Sequence, residues 1–121
     1  MKTHGIRGAT TIKKDTKENV LSATRELLGA ILKANQELKT DDIASALFTT
    51  TEDIRSAYPA MAARQLGWDL VPMMCAREIP VPGAVPMCIR VLIHWNTDKK
   101  QSAITHIYLR DAVNLRPDLI K

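Results

Sequence analysis

The sequence predicts an α+β fold in which a mixed five-stranded sheet is covered on one face by a long helix and a short helix. Three observations favour this class. The 121 residues suffice for a single domain, 1–121, with its own core. Residues 15–35 show the periodicity of one long helix. Most other apolar segments alternate as strands do, in the order strand, helix, strand, short helix and three strands.

The first predicted strand covers residues 5–12 and carries Arg7 between Gly5 and Gly8. A glycine inside a strand marks a bulge, a crowded crossing of two elements, or the close approach of a ligand. From these residues alone, a bulge or a crowded crossing is favoured.

The long helix is predicted over residues 15–35. Asp15 and Glu18 have the spacing of a capping box, which satisfies the free amide groups at a helix start. The apolar residues of the helix form one face that is suited to covering a sheet: Val20, Leu27 and Ile31, with Leu21, Leu28 and Leu32 beside them.

The middle of the chain is expected to add two strands and the short helix. A strand is predicted over 43–51, followed by one or two helical turns over 52–57. The short helix is predicted over 59–66, with a proline at its start and a glycine after its end. Residues 68–75 form the next predicted strand, in which Pro72 favours an edge position.

The segment 87–96 is a nearly unbroken apolar strand that contains one arginine. Alternation places Met87, Ile89, Val91, Ile93 and Trp95 on one wholly apolar face. Arg90 lies on the other face, with Cys88, Leu92 and His94. A guanidinium stays charged at any ordinary pH, so a half-buried strand position requires an anion beside it. That anion is either an Asp or Glu of the chain or a ligand.

The chain ends with a strand predicted over 103–109, then a turn or short strand over 110–115. Residues 116–121 are expected to be a mobile tail when no ligand is bound. One long and one short helix cannot cover both faces of such a sheet. The uncovered face therefore predicts an oligomer in which partner subunits bury it.

Composition and charge argue against several classes of function. The net charge is only +4, the lysines are scattered and there are five aromatic residues, so nucleic-acid binding is not indicated. No apolar run reaches the ~20 residues of a membrane helix, and no apolar signal core follows Met1, which predicts a cytoplasmic protein without a membrane partner. Cys75 and Cys88 lack the spacing of a metal or redox pair, and Cys88 at least is predicted to be reduced and buried.

No catalytic motif with an acid, a base or a nucleophile is present. The sequence lacks GxSxG, a glycine-rich phosphate loop and HExxH, and its three dispersed histidines predict neither a metal site nor a cofactor. What remains is a group of arginines with a few polar neighbours: Arg7, Arg64, Arg90 and Arg116, with Glu78, Cys75, Tyr58 and Tyr108. The arginine fork binds a carboxylate through two hydrogen bonds, so several arginines around one cavity would select a substrate with two carboxylates. Taken singly, each of these residues favours a structural role.

Motifs along essentially the whole chain resemble those of the AroH-type chorismate mutases. They are, in order, Gly5-Ile-Arg-Gly-Ala-Thr-Thr11, Tyr58-Pro-Ala60 with Arg64, Gly67-Trp68, Cys75 with Glu78, Cys88-Ile-Arg-Val91 and Asn114-Leu-Arg-Pro-Asp-Leu119. The first and last of these motifs are specific in combination.

The resemblance implies a homotrimer whose subunits form a pseudo-α/β-barrel, with active sites in clefts between neighbouring chains. It implies the rearrangement of the dianion chorismate to prephenate, a unimolecular Claisen reaction without proton transfer, covalent intermediate or cofactor. The absence of catalytic motifs agrees with this reaction. The protein then only has to hold the substrate in a reactive conformation and stabilise developing charge.

The resemblance also implies roles for individual residues. Arg90 would donate to the ether oxygen as the main catalytic group, and Glu78 would balance charge on the ring side of the substrate. Arg7 and Tyr108 would bind a carboxylate, and Cys75 with Glu78 would meet the ring hydroxyl. The remaining implied residues attract the dianion, close the site or form its walls: Arg64, Arg116, Tyr58, Ala60, Met74 and Leu115.

Two departures from the family pattern concern the periphery of the site. Tyr58 replaces a phenylalanine, and Met61 replaces a lysine, so one cation is missing. These changes are expected to affect substrate capture more than the chemical step.

Two other functions remain open. One is a trimeric imine deaminase-like enzyme with an arginine in an interface cleft, which the set Arg7, Glu78, Arg90 and Tyr108 disfavours. The other is a non-catalytic ligand-binding trimer on the same scaffold, which Met61 slightly supports.

Overall fold

The structure, a computed structural model, describes residues 1–115. In chain order its strands and α-helices are β1 (Lys2–Thr11), α1 (Lys17–Ala34), β2 (Ile43–Thr50), α2 (Ala60–Gln65), β3 (Met73–Arg77), β4 (Cys88–Thr97) and β5 (Ile107–Tyr108). A 3-10 helix, Arg110–Leu115, ends the described part of the chain. The predicted α+β class and the predicted order of elements are confirmed.

All five strands form one mixed sheet in the order β3-β2-β4-β1-β5. β4 lies at the centre and pairs antiparallel with β1 and β2, while the two outer strands add in parallel. The predicted apolar face of β4 is confirmed, since Ile89, Val91, Ile93 and Trp95 are at most 3% exposed. Pro72, which cannot donate to a strand ladder, directly precedes the edge strand β3, as predicted.

α1 covers one face of the sheet with the predicted apolar residues. Val20, Leu27, Leu28 and Ile31 are fully buried, and each contributes roughly 2 kcal/mol of transfer free energy. The helix comes closest to the sheet at Gly8, where an added Cβ would lie 2.7 Å from Ile31 Cδ1. A Cβ at this position would require neighbouring side chains or the helix to shift, so the crowded crossing is confirmed.

The start of α1 differs from the prediction. Thr16 is the N-cap, because its Oγ1 accepts a hydrogen bond from the Asn19 N–H at 3.1 Å. The carboxylate of Asp15 instead accepts from the backbone N–H groups of Arg55 and Ser56 at 2.9 and 3.2 Å, and from the Ser56 hydroxyl at 2.6 Å. Threonine and aspartate both cap helices well, so the contact with a distant loop decided between them.

Two predictions for the middle of the chain are wrong. Residues 52–57 form turns rather than a helix. β3 begins at Met73 rather than at position 68, because residues 68–72 turn to place Trp68 in the core, where it is 1% exposed. Burial of a large aromatic side chain outweighs the local preference of this segment for an extended backbone.

β5 is shorter than the predicted strand 103–109. Only Ile107–Tyr108 pairs with β1. Just before β5, the backbone N–H of Arg7 donates to His106 Nδ1 at 2.9 Å. The His106 side chain therefore accepts a hydrogen bond that a backbone carbonyl would accept in a regular strand pair. This contact gives His106 a structural role.

The sheet face opposite α1, called the uncovered face below, is covered by described residues at one end only. The C-terminal 3-10 helix packs against that end. Further along, Leu47 of β2 pairs with Leu92 of β4 on one side and Met74 of β3 on the other. Met74 is 71% exposed. Such a row of accessible apolar side chains is typical of a surface that contacts another molecule.

Candidate active site

Arg90 lies near the middle of the uncovered face. The strand register places it opposite Ala9 of β1 on one side and Thr49 of β2 on the other. Paired residues of antiparallel strands point to the same face, so these three residues form one row across the sheet. Arg7, opposite Leu92, lies in the next row of the same face.

Glu78 follows β3 and supplies a carboxylate beside Arg90. Its backbone N–H donates to the Thr50 carbonyl at 2.9 Å, which extends the pairing of β2 with β3. Glu78 Oε1 lies 3.4 Å from Arg90 Nη1. Glu78 Oε2 accepts a hydrogen bond from the Thr49 hydroxyl. The chain itself therefore provides one anion for Arg90.

This ion pair leaves Arg90 accessible. The side chains of Arg90 and Glu78 are 41% and 27% exposed. An ion pair with this exposure and a separation of 3.4 Å contributes less than about 1 kcal/mol to stability. The pair is therefore weak as a structural element, and the guanidinium, which has several N–H donors, can still bind a ligand.

The cleft around Arg90, called the Arg90 cleft below, has a volume of about 270 Å³. It brings together four of the predicted site residues, Arg7, Glu78, Arg90 and Tyr108. The complete lining is Arg7, Gly8, Leu47, Thr49, Glu78, Arg90, Val91, Leu92 and Tyr108. Sites for small molecules usually have volumes of roughly 300–1,000 Å³, so one chain supplies a small cleft.

Tyr108 lines this cleft, and its hydroxyl oxygen is buried. Among residues 1–115 the oxygen has no hydrogen-bond partner. A buried polar group without a partner costs about 1–3 kcal/mol. A partner from outside the described residues would therefore stabilise the Tyr108 hydroxyl, and Arg7 lines the same cleft.

Cys88, two residues before Arg90 on the same strand, is not a nucleophile. Burial raises the pKa of the Cys88 thiol to about 11, although the positive charge of Arg90 acts in the opposite direction. The thiol is 1% exposed and stays protonated at neutral pH. It is reduced and buried, as predicted.

A second cleft, of about 560 Å³, contains other predicted residues. Tyr58 and Cys75 line it together with Met61, Lys17 and Arg77. Arg55 is a third cation in the lining, so this cleft is positively charged although Met61 is neutral.

In one chain Cys75 cannot share a ligand with Arg90. Cys75 pairs with Phe48, which is fully buried in the core under α1, whereas Arg90 pairs with Thr49. Successive residues of a strand point to opposite faces. Cys75 therefore lies on the helix-covered side of the sheet, and Tyr58 lines the same second cleft.

Three further predicted residues lie outside both clefts. Arg64 is exposed in the last turn of α2 and lines neither cleft. Ala60 is 5% exposed and belongs to the main core. Met74 lies on the uncovered face, in the apolar row described above.

The remaining predicted residues lie at the end of the chain. Leu115 packs in a small cluster that also includes Tyr108. Arg116, and the tail predicted over 116–121, lie outside the described residues.

Thr49 and Leu47 line the Arg90 cleft but were not among the predicted site residues. The predicted strand 43–51 already placed both residues on one face, because they are two positions apart. Which face of that strand meets Arg90 depends on the register between β2 and β4, and the sequence alone does not contain that information.

Two kinds of feature are absent from residues 1–115. No group of three or more His, Cys, Asp or Glu side chains is arranged to hold a metal ion. No described helix combines the length and the apolar character needed to cross a membrane.

Comparisons with known proteins agree on one family. Residues 3–119 match the family model described as chorismate mutase type I. The chorismate mutase AroH of Thermus thermophilus is 55% identical over 115 residues, which are 95% of this chain and 94% of that protein. AroH of Bacillus subtilis (strain 168) is 43% identical over 120 residues, 98% of this chain and 94% of that protein. A solved chorismate mutase structure from Clostridium thermocellum matches with a TM-score of 0.86 at 45% identity, and the match covers 89% of this chain and 96% of the other.

Proposed function

The chain belongs to the type I chorismate mutase family and is a chorismate mutase, an isomerase; we propose that the Arg90 cleft is its active site and Arg90 its main catalytic group. One observation carries this proposal. An accessible, permanently charged guanidinium lies in a cleft that Arg7 and Tyr108 also line. Chorismate has two carboxylates, and these groups are suitable donors for them.

The chemistry of the reaction explains why arginine suffices. In the Claisen rearrangement of chorismate to prephenate, the ether C–O bond breaks while a new C–C bond forms, and negative charge develops on the ether oxygen. Arg90 donates a hydrogen bond to that oxygen and stabilises the charge as it develops. Binding the enolpyruvyl group over the ring lowers the remaining barrier, because the reacting atoms are already close.

Glu78 has two tasks in this mechanism. Its carboxylate, 3.4 Å from Arg90 Nη1, orients the guanidinium. It also faces the ring side of the substrate, where it meets the ring hydroxyl and balances the positive charge that forms as the C–O bond breaks. Arg7 and Tyr108 bind a substrate carboxylate and set the position of the ether oxygen relative to Arg90.

The other half of the site comes from a neighbouring chain of a homotrimer. Three observations support this part of the proposal: the small volume of the Arg90 cleft, the apolar row on the uncovered face, and the position of Cys75 and Tyr58 on a separate cleft. A neighbouring copy would bring its second cleft to the Arg90 cleft. Tyr58 and Cys75 line that second cleft, and Cys75 would then meet the ring hydroxyl. The other residues proposed to close the site or form its walls are Arg64, Arg116, Ala60, Met74 and Leu115.

The test is the turnover of chorismate by the Arg90→Ala protein. We expect kcat to fall about 100- to 1,000-fold or more, because the change deletes a donor whose contact strengthens in the transition state. Loss of the ultraviolet absorbance of chorismate measures the rate, and acid conversion of the product to phenylpyruvate identifies prephenate. Arg25→Ala is the matched control, since Arg25 lies on α1 and donates to the Gln65 side chain, away from the Arg90 cleft.

The control variant is expected to keep its kcat and KM. Near-normal turnover by Arg90→Ala would show that the mechanism is wrong. Equal losses in both arginine variants would indicate a general effect on folding or charge instead of a role for Arg90.

A further inference from the structure

We infer that Thr49 is a positioning residue of this active site, whose hydroxyl holds the Glu78 carboxylate in the orientation that serves Arg90 and the substrate. The inference rests on the proposed function, because the roles of Glu78 and Arg90 are assigned there. Neither a sequence motif nor the family resemblance assigned a role to Thr49.

The Glu78 carboxylate is held from two strands at once. Its Oε2 accepts a hydrogen bond from the Thr49 hydroxyl of β2, and its Oε1 lies 3.4 Å from Arg90 Nη1 of β4. Each carboxylate oxygen thus has a different partner. Two contacts on two oxygens determine the direction of the carboxylate plane, whereas one contact would leave it free to rotate.

Thr49 is a rigid support for this contact. It pairs with Arg90 on one side and with Ala76 of β3 on the other, inside the sheet. A β-branched side chain in a strand has few rotamers, so the backbone of β2 determines where the hydroxyl lies. Glu78 has more rotatable bonds and follows the end of β3, so its own backbone determines the carboxylate position less well.

Without the Thr49 hydroxyl, the Glu78 carboxylate would move toward Arg90. The carboxylate would keep only its contact with the guanidinium, which can approach closer than 3.4 Å. A closer pair would occupy guanidinium donors that the ether oxygen requires. We expect kcat to decrease more than KM changes, because Arg7 and Tyr108 still bind the substrate carboxylate.

The first experiment compares Thr49→Val with Thr49→Ser in the chorismate turnover assay. Valine has the shape of threonine without the hydroxyl, and we expect kcat to fall about tenfold, the effect of one hydrogen bond to a charged group, with KM within about twofold. Serine retains the hydroxyl and should restore kcat to within about threefold of the unaltered enzyme. Thr49→Ala, which also lacks the hydroxyl, takes the place of the valine variant if that variant does not fold.

Thr3→Val is the matched control. Thr3 lies on β1 and donates its hydroxyl to Asn96 Oδ1 of its cross-strand partner on β4, far along the sheet from the Arg90 cleft. This variant loses the same kind of bond from the same sheet. Its kcat and KM are expected to be unchanged.

The second experiment repeats Thr49→Val in a Glu78→Ala protein. If Thr49 acts through Glu78, its substitution should change kcat by less than about twofold once the carboxylate is absent. A purely structural role of Thr49 would produce the same loss in both backgrounds.

The inference is overturned if Thr49→Val turns over chorismate normally, or if its loss of kcat persists in full without Glu78. Both outcomes leave the role of Arg90 intact, because Arg90→Ala tests it separately. If Glu78→Ala itself has normal kcat, the inference fails together with the role proposed for Glu78.

Discussion

At the scale of single residues, the carboxylates of Asp15 and Glu78 differ in their hydrogen-bond and ion-pair partners. Asp15 receives three hydrogen bonds from Arg55 and Ser56, all within the chain, and it connects the start of α1 to the loop before α2. Glu78 receives one hydrogen bond and has one long ion contact, with Arg90. A carboxylate with saturated partners stabilises the fold, whereas a partly satisfied one remains able to interact with a substrate.

The hydrogen bonds of Asp15 predict that its contribution to the free energy of unfolding depends on pH. The hydrogen bond from the Ser56 hydroxyl lowers the pKa of the Asp15 carboxyl below its ordinary value of 3.8; partial desolvation opposes this effect, and the backbone N–H groups of Arg55 and Ser56 add to it. A lowered pKa in the folded state contributes stability that is present above the unfolded pKa and lost as the pH falls through the folded pKa. Asp15→Ala should therefore lower the free energy of unfolding at neutral pH, and its difference from the unaltered protein should narrow as the pH falls below 3.8.

Urea unfolding at a series of pH values measures this difference. Asp41→Ala is the control, because the Asp41 side chain is exposed and makes no hydrogen bond or ion pair with the described residues. A difference between Asp15→Ala and the unaltered protein that stays constant from neutral to acidic pH would contradict the prediction.

At the scale of elements, the packing of α1 on the sheet depends on one close contact. Gly8 of β1 lies under Leu27 and Ile31, whose terminal carbons would be 3.2 and 2.7 Å from an added Cβ. A side chain at this position would force the side chains of Leu27 and Ile31, or the helix itself, to shift. The glycine beside Arg7 therefore serves the face of the sheet opposite the proposed active site.

A pair of glycine substitutions tests this packing. Gly8→Ala should lower the free energy of unfolding by about 1–3 kcal/mol, the usual cost of overfilling a packed core. Gly29→Ala, on the exposed side of α1, should raise it by about 0.5–1 kcal/mol, because an added Cβ there meets nothing within 4 Å and alanine favours the helix. Urea midpoints measure both effects, and equal stability of the Gly8→Ala and unaltered proteins would show that the helix shifts without cost.

At the scale of the whole molecule, one chain leaves the Arg90 cleft small and the uncovered face partly apolar. The row of Leu47, Leu92 and Met74 lies beside the cleft, so the same association of chains would bury the row and enlarge the site. Assembly and activity should therefore be coupled.

Sedimentation equilibrium combined with activity tests this coupling. One chain has a mass of 13.5 kDa, so a homotrimer would have three times that mass, about 40 kDa. Met74→Glu should dissociate the assembly and lower turnover in parallel, because it places a charge in the interface. Ser22→Glu, on the exposed side of α1, should change neither. A monomer with full turnover would contradict the shared active site.

Features that depend on neighbours along the chain are encoded locally in the sequence. The alternation of β4, the apolar face of α1 and the α+β class follow from local periodicity. The requirement of Arg90 for an anion follows from the chemistry of the guanidinium. The family, and with it the activity, follows from motifs whose residues stand close together in the chain.

Contacts between residues that are distant along the chain depend on how the elements pack. Thr49 and Glu78 are 29 positions apart, and their contact with Arg90 depends on the register of β2 with β4. The capping role of Thr16, the turns at 52–57 and the placement of Cys75 away from Arg90 have the same origin. Periodicity tells which residues share a face of one element, but strand register and long-range hydrogen bonds arise from packing between elements. Those contacts form only when the whole chain folds.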